Sequence, residues 1–310
     1  MSSTLVKKNV RSLLQRLPMS LQLAIADLFW ILWESKLQLY RANRLRKRGM
    51  AEFKMSEEQT AKSDCHILAS GWSLNYTFNT IPRSAAYVIG FNYSFLKCPD
   101  PDIHFIECAS HKDKRFIQAT TWIYSGLKKS KAFDCSKIVF KNISELKNSH
   151  NMIAGLYSDN GLFMQDRHFR IFSPQGVPHI LKKALAERSV LPQAVSSVIS
   201  MIFLARNMGF KNIVIHGLDF GGPHFYGSSP EAMIFDDAAD IGLVPLSDEM
   251  VTPHKTAIGE SGVGTRTLLI ELKRSLEQEG VTLLSASKVS PSSELLGVWV
   301  PEGAGVDNAS

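Results

Sequence analysis

The sequence lacks several patterns that would assign a function class directly. It has only four cysteines in 310 residues, with no CxxC pair and no histidine at ligand spacing: Cys65, Cys98, Cys108 and Cys135. Structural zinc sites and disulfide frameworks need regularly spaced cysteines, so neither is predicted and we interpret the four as reduced, cytoplasmic thiols. The sequence also contains no internal repeat, no low-complexity segment and no GxGxxG fingerprint.

A long hydrophobic run is missing as well. The most apolar stretch, SLQLAIADLFWILW, begins at residue 20, spans about 13 apolar residues and contains Asp27. A membrane-spanning helix needs roughly 20 such residues, so no spanning helix is predicted. The stretch lies some way into the chain and no small-residue cleavage site follows it, so we expect no secretory signal and a cytoplasmic protein.

The composition suits one substantial globular core, since 45% of the residues are apolar. Lys and Arg outnumber Asp and Glu by 35 to 29, which gives a formal charge of +6. Such a charge suits a polyanionic substrate or an acidic membrane surface as well as it suits nucleic acid, and charge alone selects none of them.

Residues 1–60 form a segment of their own in the sequence pattern. The apolar run is followed by ESKLQLYRANRLRKR, which ends in a tight basic cluster. Leu, Phe and Trp beside clustered Arg and Lys predict an amphipathic interfacial helix at an anionic membrane surface, peripheral on the inner membrane. The alternative is an amphipathic helix docked on the protein's own core or on a partner subunit.

Residues 61–300 alternate between short apolar strands and helical stretches. Predicted strands are CHILAS, AAYVIGFN, DIHFIEC, SKIVF, KNIVIHGLDF and VTLLSAS, and predicted helices are VSSVISMIFLARNMGF and GTRTLLIELKRSLEQEG. A helix followed by a strand implies a parallel sheet, so the predicted fold class is α/β. Residues 301–310 are predicted to be a flexible tail.

Small and polar residues follow the first two predicted strands. Ser70, Gly71 and Ser73 come directly after CHILA, where backbone amides of an α/β sheet can approach a phosphate or a ribose. Asn92 closes the second strand, at the same predicted edge. An ordinary strand-to-helix turn and a helix-capping Asn are the alternative interpretations of these residues.

A third candidate loop follows the strand KNIVIHG. Gly217 and Asp219 close this strand, and His224 and Tyr226 follow two further glycines. Since ligand sites of open α/β sheets lie at the carboxyl ends of the strands, we predict that Ser73, Asn92 and Asp219 converge on one ligand. Ser196 and Ser197, on the preceding helix, can donate hydroxyl hydrogen bonds to a phosphate or can simply be that helix's N-cap region.

A long polar segment, about residues 228–262, separates this loop from the last helix. Loops of this length in a compact domain are often active-site lids. His254 and Lys255 lie within it, and an imidazole can accept a proton from an attacking hydroxyl near neutral pH. A single loop histidine is more often a solvated surface residue, so its chemistry depends on the surrounding pattern.

The order of the motifs in this sequence resembles that in the bacterial family 42 sialyltransferases. These motifs are ILASGWSL, YVIGFN, SSVISMIFLARNMGFKNIVIHGLDF, a later Tyr, PHK and PSSELL. The resemblance covers about residues 64–296. It implies a single Rossmann-like domain with a parallel sheet, a GT-A-like variant with a lid. It also implies inverting, metal-independent transfer from a CMP-activated acidic sugar, sialic acid or a related nonulosonate or Kdo, to a cell-surface glycan or lipid-linked glycan, as in lipopolysaccharide biosynthesis.

The resemblance also implies roles for the matched positions. His254 matches the family's catalytic base, and Tyr226 matches a tyrosine that steadies the departing phosphate. The remaining matches bind the donor: Ser70, Gly71, Ser73, Asn92, Ser196, Ser197, Gly217 and Asp219. Two family residues have no counterpart here: Gly221 stands in place of the first tyrosine and Ala194 in place of an arginine. His224 and Lys255 are candidates to supply the missing contact to the phosphate.

No cofactor, metal ion or nucleic acid is expected from this comparison, and a homo-oligomer is left open. Two alternatives remain. One is a pterin pyrophosphokinase-like transferase, whose magnesium ligands would be Asp236, Asp237 and Asp240. The other is a non-catalytic, membrane-bound scaffold.

Overall fold

The computed structural model describes seven stretches of the chain: residues 12–55, 62–108, 114–143, 161–171, 173–227, 253–259 and 263–301. The predicted lid, about residues 228–262, lies outside the described residues except for 253–259, and the predicted tail lies outside them except for Pro301. Asp236, Asp237 and Asp240 also lie outside. None of the four cysteines forms a disulfide in the described part of the chain.

Ten strands lie in the described stretches. Their bounds are β1 Ala51–Glu52, β2 Asp64–Leu68, β3 Ala86–Phe91, β4 Ile103–Glu107, β5 Lys137–Lys141, β6 Leu162–Phe163, β7 Asp166–His168, β8 Leu191–Gln193, β9 Asn212–His216 and β10 Thr282–Ser285. Eight of them form one parallel sheet in the order β1-β6-β5-β4-β3-β2-β9-β10, and β7 pairs with β8 separately.

The α-helices are α1 Met19–Phe29, α2 Ser35–Lys47, α3 Leu74–Thr77, α4 Lys114–Lys129, α5 Ala132–Cys135, α6 Val177–Ala186, α7 Ser197–Asn207, α8 Lys255–Ile258, α9 Thr265–Gln278 and α10 Ser293–Leu296. A π-helical turn, Trp30–Glu34, joins α1 to α2 without a break, and 3-10 turns cover Phe78–Thr80, Asn92–Leu96 and Pro174–Gly176. Among helices in the described stretches, none combines the length and hydrophobicity that a membrane crossing requires. The α/β prediction is confirmed.

The topology has a switch point between β2 and β9. From β2 the chain adds β3, β4, β5 and β6 on one side, and later adds β9 and β10 on the other side. Loops that leave two such neighbouring strands diverge, which opens a crevice at the carboxyl edge of the sheet. The loops after Leu68 and His216 therefore border this crevice.

The sheet is covered on both faces because alternate side chains of each strand point to opposite sides. On one face, Ile67, Ile89 and Phe105 pack with α6, α7 and α9. On the other, Leu68 and Phe140 pack with α2 and α4. Strands that are apolar on both faces explain the near-continuous hydrophobic runs in the sequence.

The N-terminal helix contacts this core along one side. Ala42 and Leu45 are buried in the second core cluster, and the Nε2 of Gln38 donates a 2.9 Å hydrogen bond to Oδ1 of the buried Asp166. Asp27 forms an ion pair with Arg167 at 2.9 Å. The inner side of the helix thus matches the alternative in which it docks on the protein's own core.

Candidate functional site

A cavity of about 410 Å³ lies at the switch point. Its walls come from the loop after β2, the end of β4, the segment from β8 into α7, the loop after β9, and the segment that carries α8 and the start of α9. The predicted residues that line it are Ser70, Gly71, Ser196, Ser197, Gly217, Asp219, His224 and His254. Segments separated by up to 184 positions therefore meet around one space.

Three predicted residues are placed differently. Ser73 is fully buried behind the cavity wall, and Asn92 and Tyr226 do not line the cavity. Lys255 begins α8, directly after His254. The lining contains Phe91 at the position next to Asn92.

Asp219 joins the two loops at the switch point. Its Oδ2 accepts a 2.7 Å hydrogen bond from the backbone N–H of Ser73, and its Oδ1 accepts from the hydroxyls of Ser73 at 2.6 Å and Ser290 at 2.8 Å. Burial raises the pKa of Asp219, and these hydrogen bonds only partly oppose the increase. Only 3% of Asp219 is exposed, so most of its acceptor capacity is used inside the protein.

Gly71 and Gly217 allow these loops to approach closely. A Cβ on Gly71 would lie 2.4 Å from Oδ2 of Asp219, and Gly217 has a φ of +68°. The N–H of Gly71 donates to the carbonyl of Gly217 at 2.8 Å. The amides of Gly71 and Ser73 are therefore engaged within the protein, in contrast to the phosphate contact predicted for this loop.

The N-terminus of α7 opens into the cavity. Ser196, its N-cap residue, and Ser197 and Val198, its first residues, all line the space. The hydroxyl of Ser196 is buried and has no hydrogen-bond partner in the described part of the chain. Because the first N–H groups of a helix lack intrahelical acceptors and carry a partial positive charge, this end of the cavity can bind an anionic group.

His254 is held at the cavity by backbone contacts. Its N–H donates a 2.9 Å hydrogen bond to the carbonyl of Phe220, and Gly221 pairs with Pro253 in a short antiparallel bridge. Phe220 adopts a φ of +58°, a left-handed conformation that is costly for a non-glycine residue. This strained position aligns the loop after β9 with the segment that carries the imidazole.

The imidazole of His254 contacts Thr256 through Nδ1. The Nδ1 atom lies 2.8 Å from the Thr256 hydroxyl and accepts a longer, 3.3 Å hydrogen bond from the Thr256 N–H. The two contacts favour different tautomers. Nδ1 accepts from the Thr256 N–H only when the ring proton is on Nε2, whereas in the tautomer that donates Nδ1–H to the Thr256 hydroxyl, Nε2 is the basic nitrogen. The position of Thr256 therefore influences which ring nitrogen can accept a proton from a ligand.

His224 is a second imidazole in the same cavity. Its Nδ1 lies 3.3 Å from the carbonyl of Ser70, and its ring stacks on Tyr226 with centroids 4.8 Å apart. Burial, followed by the nearby His254, lowers the pKa of His224, although the Ser70 carbonyl opposes the shift. The Ser70 carbonyl can only accept a hydrogen bond, so Nδ1 of His224 carries a proton in this contact.

Tyr226 packs beneath this histidine. It is 7% exposed, its ring centroid is 5.0 Å from that of Tyr93, and burial raises the pKa of its hydroxyl. Tyr226 therefore supports the ring of His224 in this structure.

Glu107 is a cavity residue that the sequence reasoning missed. It closes β4, and its carboxylate accepts hydrogen bonds from Ser197 Oγ at 2.6 Å and Gln193 Nε2 at 3.3 Å. The ammonium of Lys141, whose side chain is 1% exposed, lies 3.3 Å away. Burial alone would raise the pKa of Glu107, but Lys141 and the Ser197 hydroxyl outweigh it and the pKa lies below its ordinary value.

Polar residues behind Glu107 form a buried network. Asp166 is fully buried and accepts a 3.1 Å hydrogen bond from the N–H of Asn142. His168 lies 3.3 Å from Asp166, and although burial lowers its pKa, the Asp166 carboxylate raises it above the ordinary value. The acidic residues Glu107 and Asp166 are thus each paired with a basic residue, Glu107 with Lys141 and Asp166 with His168.

Asn92 supports the same wall from the side. It has a φ of +50°, its Oδ1 accepts a 3.4 Å hydrogen bond from the N–H of Glu107, and its carbonyl contacts the ring of His104 at 2.9 Å. At this edge of the sheet, Glu107 lines the cavity and Asn92 does not. Within the described stretches, no group of three or more His, Cys, Asp or Glu side chains is arranged to hold a metal ion.

The fold and the cavity together define an open parallel α/β protein with a ligand crevice at its topological switch point. No protein-family model matches the sequence. No curated protein matches it either.

Solved structures do show similarity. The monofunctional alpha-2,3-sialyltransferase Cst-I from Campylobacter jejuni is 15% identical, with 78% of this chain and 82% of that chain covered and a TM-score of 0.45. An alpha-2,3-sialyltransferase from Campylobacter jejuni in apo form is 13% identical, covers 80% and 84% of the two chains and has a TM-score of 0.43. The sialyltransferase CstII from Campylobacter jejuni in complex with cytidine-5'-monophosphate is 14% identical, with coverages of 78% and 86% and a TM-score of 0.41.

Proposed function

We propose that this protein is a glycosyltransferase that moves a sugar from a CMP-activated donor to a hydroxyl of a glycan acceptor. One observation carries the proposal: an anion-binding helix N-terminus and an imidazole, His254, line the same cavity at the switch point. Transfer from a nucleotide sugar needs a group that holds the phosphate and a base that activates the acceptor, and the cavity provides both.

The proposed partners of the phosphate lie at the N-terminus of α7. The first N–H groups of α7 and the hydroxyl of Ser196, which has no hydrogen-bond partner among the described residues, offer hydrogen bonds to its oxygens. The described lining contains no Lys or Arg, so these dipoles are the positive groups that the described cavity offers. We assign the phosphate to this end of the cavity, on Ser196 and away from the Glu107 carboxylate, which is hydrogen-bonded to Ser197 Oγ and would repel an anion.

The proton transfer is assigned to His254. Its neutral imidazole accepts the proton of the acceptor hydroxyl as the oxygen attacks the anomeric carbon. The bond from that carbon to the phosphate oxygen breaks in the same step, and CMP leaves with the electron pair. A single displacement of this kind inverts the anomeric centre, and none of its steps calls for a metal ion.

The sugar is placed against Glu107. An ionised carboxylate accepts hydrogen bonds from hydroxyl or N–H groups and repels a carboxylate. If the donor is an acidic sugar, as the sequence resemblance implies, its hydroxyl or acylamino groups face Glu107 and its carboxylate points away. A cell-surface or lipid-linked glycan is the proposed acceptor, which includes the sugars of lipopolysaccharide.

The test combines binding and turnover. Purified protein is titrated with CMP by calorimetry, and CMP release is measured from CMP-Neu5Ac and CMP-Kdo. His254→Ala is expected to lower turnover by about 100-fold or more while CMP binding stays nearly unchanged. His179→Ala is the matched control, because His179 is an exposed histidine on α6.

Three outcomes would contradict the proposal. Absence of CMP binding would remove the nucleotide site and favour a scaffold. Full turnover by His254→Ala with loss in His224→Gln would transfer the base to His224. Turnover that EDTA abolishes and magnesium restores would favour the pyrophosphokinase-like alternative.

A further inference from the structure

The outer side of the N-terminal helix carries a continuous apolar surface. Six large side chains between residues 28 and 40 are each more than half exposed: Leu28, Ile31, Leu32, Trp33, Leu39 and Tyr40. Trp33, at 67%, is the most exposed of them. Exposed apolar patches of this kind are a common sign of an interaction site in soluble proteins.

The helix cannot turn this surface inward without losing its own contacts. Gln38 is hydrogen-bonded to Asp166, Ala42 is fully buried, and the guanidinium of Arg167 lies 5.2 Å from the ring centroid of Trp30. These inner contacts fix the rotation of the helix. The outer surface therefore stays available to a partner.

The acidic and basic side chains of the helix separate by side. Residues 19–47 contain two acidic residues, and both pair with the domain: Asp27 with Arg167 and Lys183, and Glu34 with Arg170. Lys36 and Lys47 are exposed, and Arg44 and Lys47 lie in the last turn of α2 together with Arg46, which pairs with Glu52 of β1. The outer side thus combines apolar groups with positive charge.

We propose that this outer face, residues 28–40 with the basic end of α2, binds an anionic lipid surface with the helix parallel to the membrane plane. Exposed Trp and Tyr suit the headgroup region, where one end of the ring is apolar and the other is wet. Positive residues at the end of the helix suit acidic headgroups. A second copy of this chain fits less well, because it would bring a face whose exposed charge has the same sign.

Vesicle binding by the full chain tests the proposal. The protein is mixed with vesicles of phosphatidylglycerol and phosphatidylcholine, or of phosphatidylcholine alone, and centrifuged. Binding is expected only with the anionic vesicles, and it should weaken as salt increases. Leu32→Ser/Trp33→Ser is expected to lower the bound fraction by about tenfold or more, since both residues lie on the outer face.

The matched control is Ile270→Ser, which replaces an exposed apolar residue on α9 and should bind vesicles like the unchanged protein. Trp33 provides a second readout, because its fluorescence should shift to the blue with anionic vesicles and this component should be lost in Trp33→Phe. CMP binding should be the same in every variant, so this test is independent of the proposed function.

The proposal is wrong if the unchanged protein ignores anionic vesicles. It is also wrong if Leu32→Ser/Trp33→Ser binds them equally. A concentration-dependent dimer that dissociates in Leu32→Ser/Trp33→Ser, without vesicle binding, would identify the surface as a self-association site instead.

Discussion

The hydroxyl of Ser73 donates a 2.6 Å hydrogen bond to Oδ1 of Asp219, a residue 146 positions later in the chain. The bond closes the gap between the loops that leave β2 and β9, and both partners are almost fully buried. The crevice at the switch point therefore has a rigid floor.

Removing this hydroxyl should weaken the fold. Ser73→Ala leaves Asp219 with the N–H of Ser73 and the hydroxyl of Ser290, so one of three hydrogen bonds to a buried carboxylate is lost. We expect the free energy of unfolding in urea to fall by about 2 kcal/mol. Ser189→Ala removes an exposed hydroxyl bonded to Glu187 and should change it by less than about 0.5 kcal/mol. Equal effects of the two substitutions would contradict this role.

Acid should destabilise the protein through its buried histidines. Burial lowers the pKa values of His66 and His104 to about 4, from an ordinary value of 6.5. The unfolded chain therefore binds protons before the folded chain does, so stability falls as the pH decreases from 6.5 to 4. The loss is about 3 kcal/mol for each histidine by pH 4.

The histidine contribution can be isolated with His104→Gln. A glutamine amide can still donate to the carbonyl of Asn92 but does not titrate, so the dependence of the urea midpoint on pH should become shallower. The raised pKa of Asp219 acts in the opposite direction, since it favours the folded state at low pH. His179→Ala should leave the dependence unchanged.

The pairing of Glu107 with Lys141 should appear in a double-mutant cycle. The ammonium of Lys141 is nearly inaccessible to water, and Glu107→Gln removes the carboxylate that pairs with it. An unpaired buried charge should lower the free energy of unfolding by about 3 to 5 kcal/mol. Glu107→Gln/Lys141→Met removes the charge as well and should recover most of that loss. An additive result, measured by urea unfolding, would mean that the two charges do not interact.

The same pair of variants should separate sugar recognition from nucleotide binding. Both variants remove the carboxylate that we place against the sugar, so the KM for the CMP-sugar should rise in both. The Kd for CMP alone should stay close to that of the unchanged protein. A parallel loss of CMP affinity would place the nucleotide, rather than the sugar, against Glu107.

Thr256 should act by positioning the base. Thr256→Val keeps the shape of the side chain but removes the hydroxyl that lies 2.8 Å from Nδ1 of His254. We expect kcat to fall by about tenfold with an unchanged Kd for CMP, because a wrong tautomer or ring orientation impairs proton transfer only. Thr256→Ser should restore most of the rate, which a merely structural role of the methyl group would not predict.

Tyr226→Phe tests two different roles of one residue. The sequence comparison predicts that its hydroxyl steadies the departing phosphate, whereas the structure places its ring under His224, outside the cavity lining. With the ring preserved, we expect little change in the rate of CMP release. A reduction of about tenfold or more would support direct contact of the hydroxyl with the phosphate.

The sequence was informative about strands and about the edge where the site lies. Each predicted strand of the main sheet is present, and the residues after β2 and β9 meet because parallel strands end at a common edge. The hydrogen bonds within that edge were not predictable. Whether the N–H of Gly71 faces a ligand or the carbonyl of Gly217 depends on the spacing of two loops, which no local pattern records.

Glu107 could have been found with the reasoning applied to Asp219. It is an acidic residue that closes a buried strand, IHFIE, at the same edge of the sheet. Its partners were harder to anticipate, because Lys141, Gln193 and Ser197 come from three other elements. A lysine that is 1% exposed also contradicts the usual expectation that lysines lie at the surface.

The position of β9 in the sheet has a consequence for synthesis of the chain. Asp64 of β2 pairs with Asn212 of β9, 148 residues later, so β2 emerges from the ribosome long before its second neighbour exists. At about 5 to 20 residues per second the delay is roughly 7 to 30 seconds. During that time one edge of the future central strand has no partner, and the switch-point crevice is completed only when the last third of the protein has been translated.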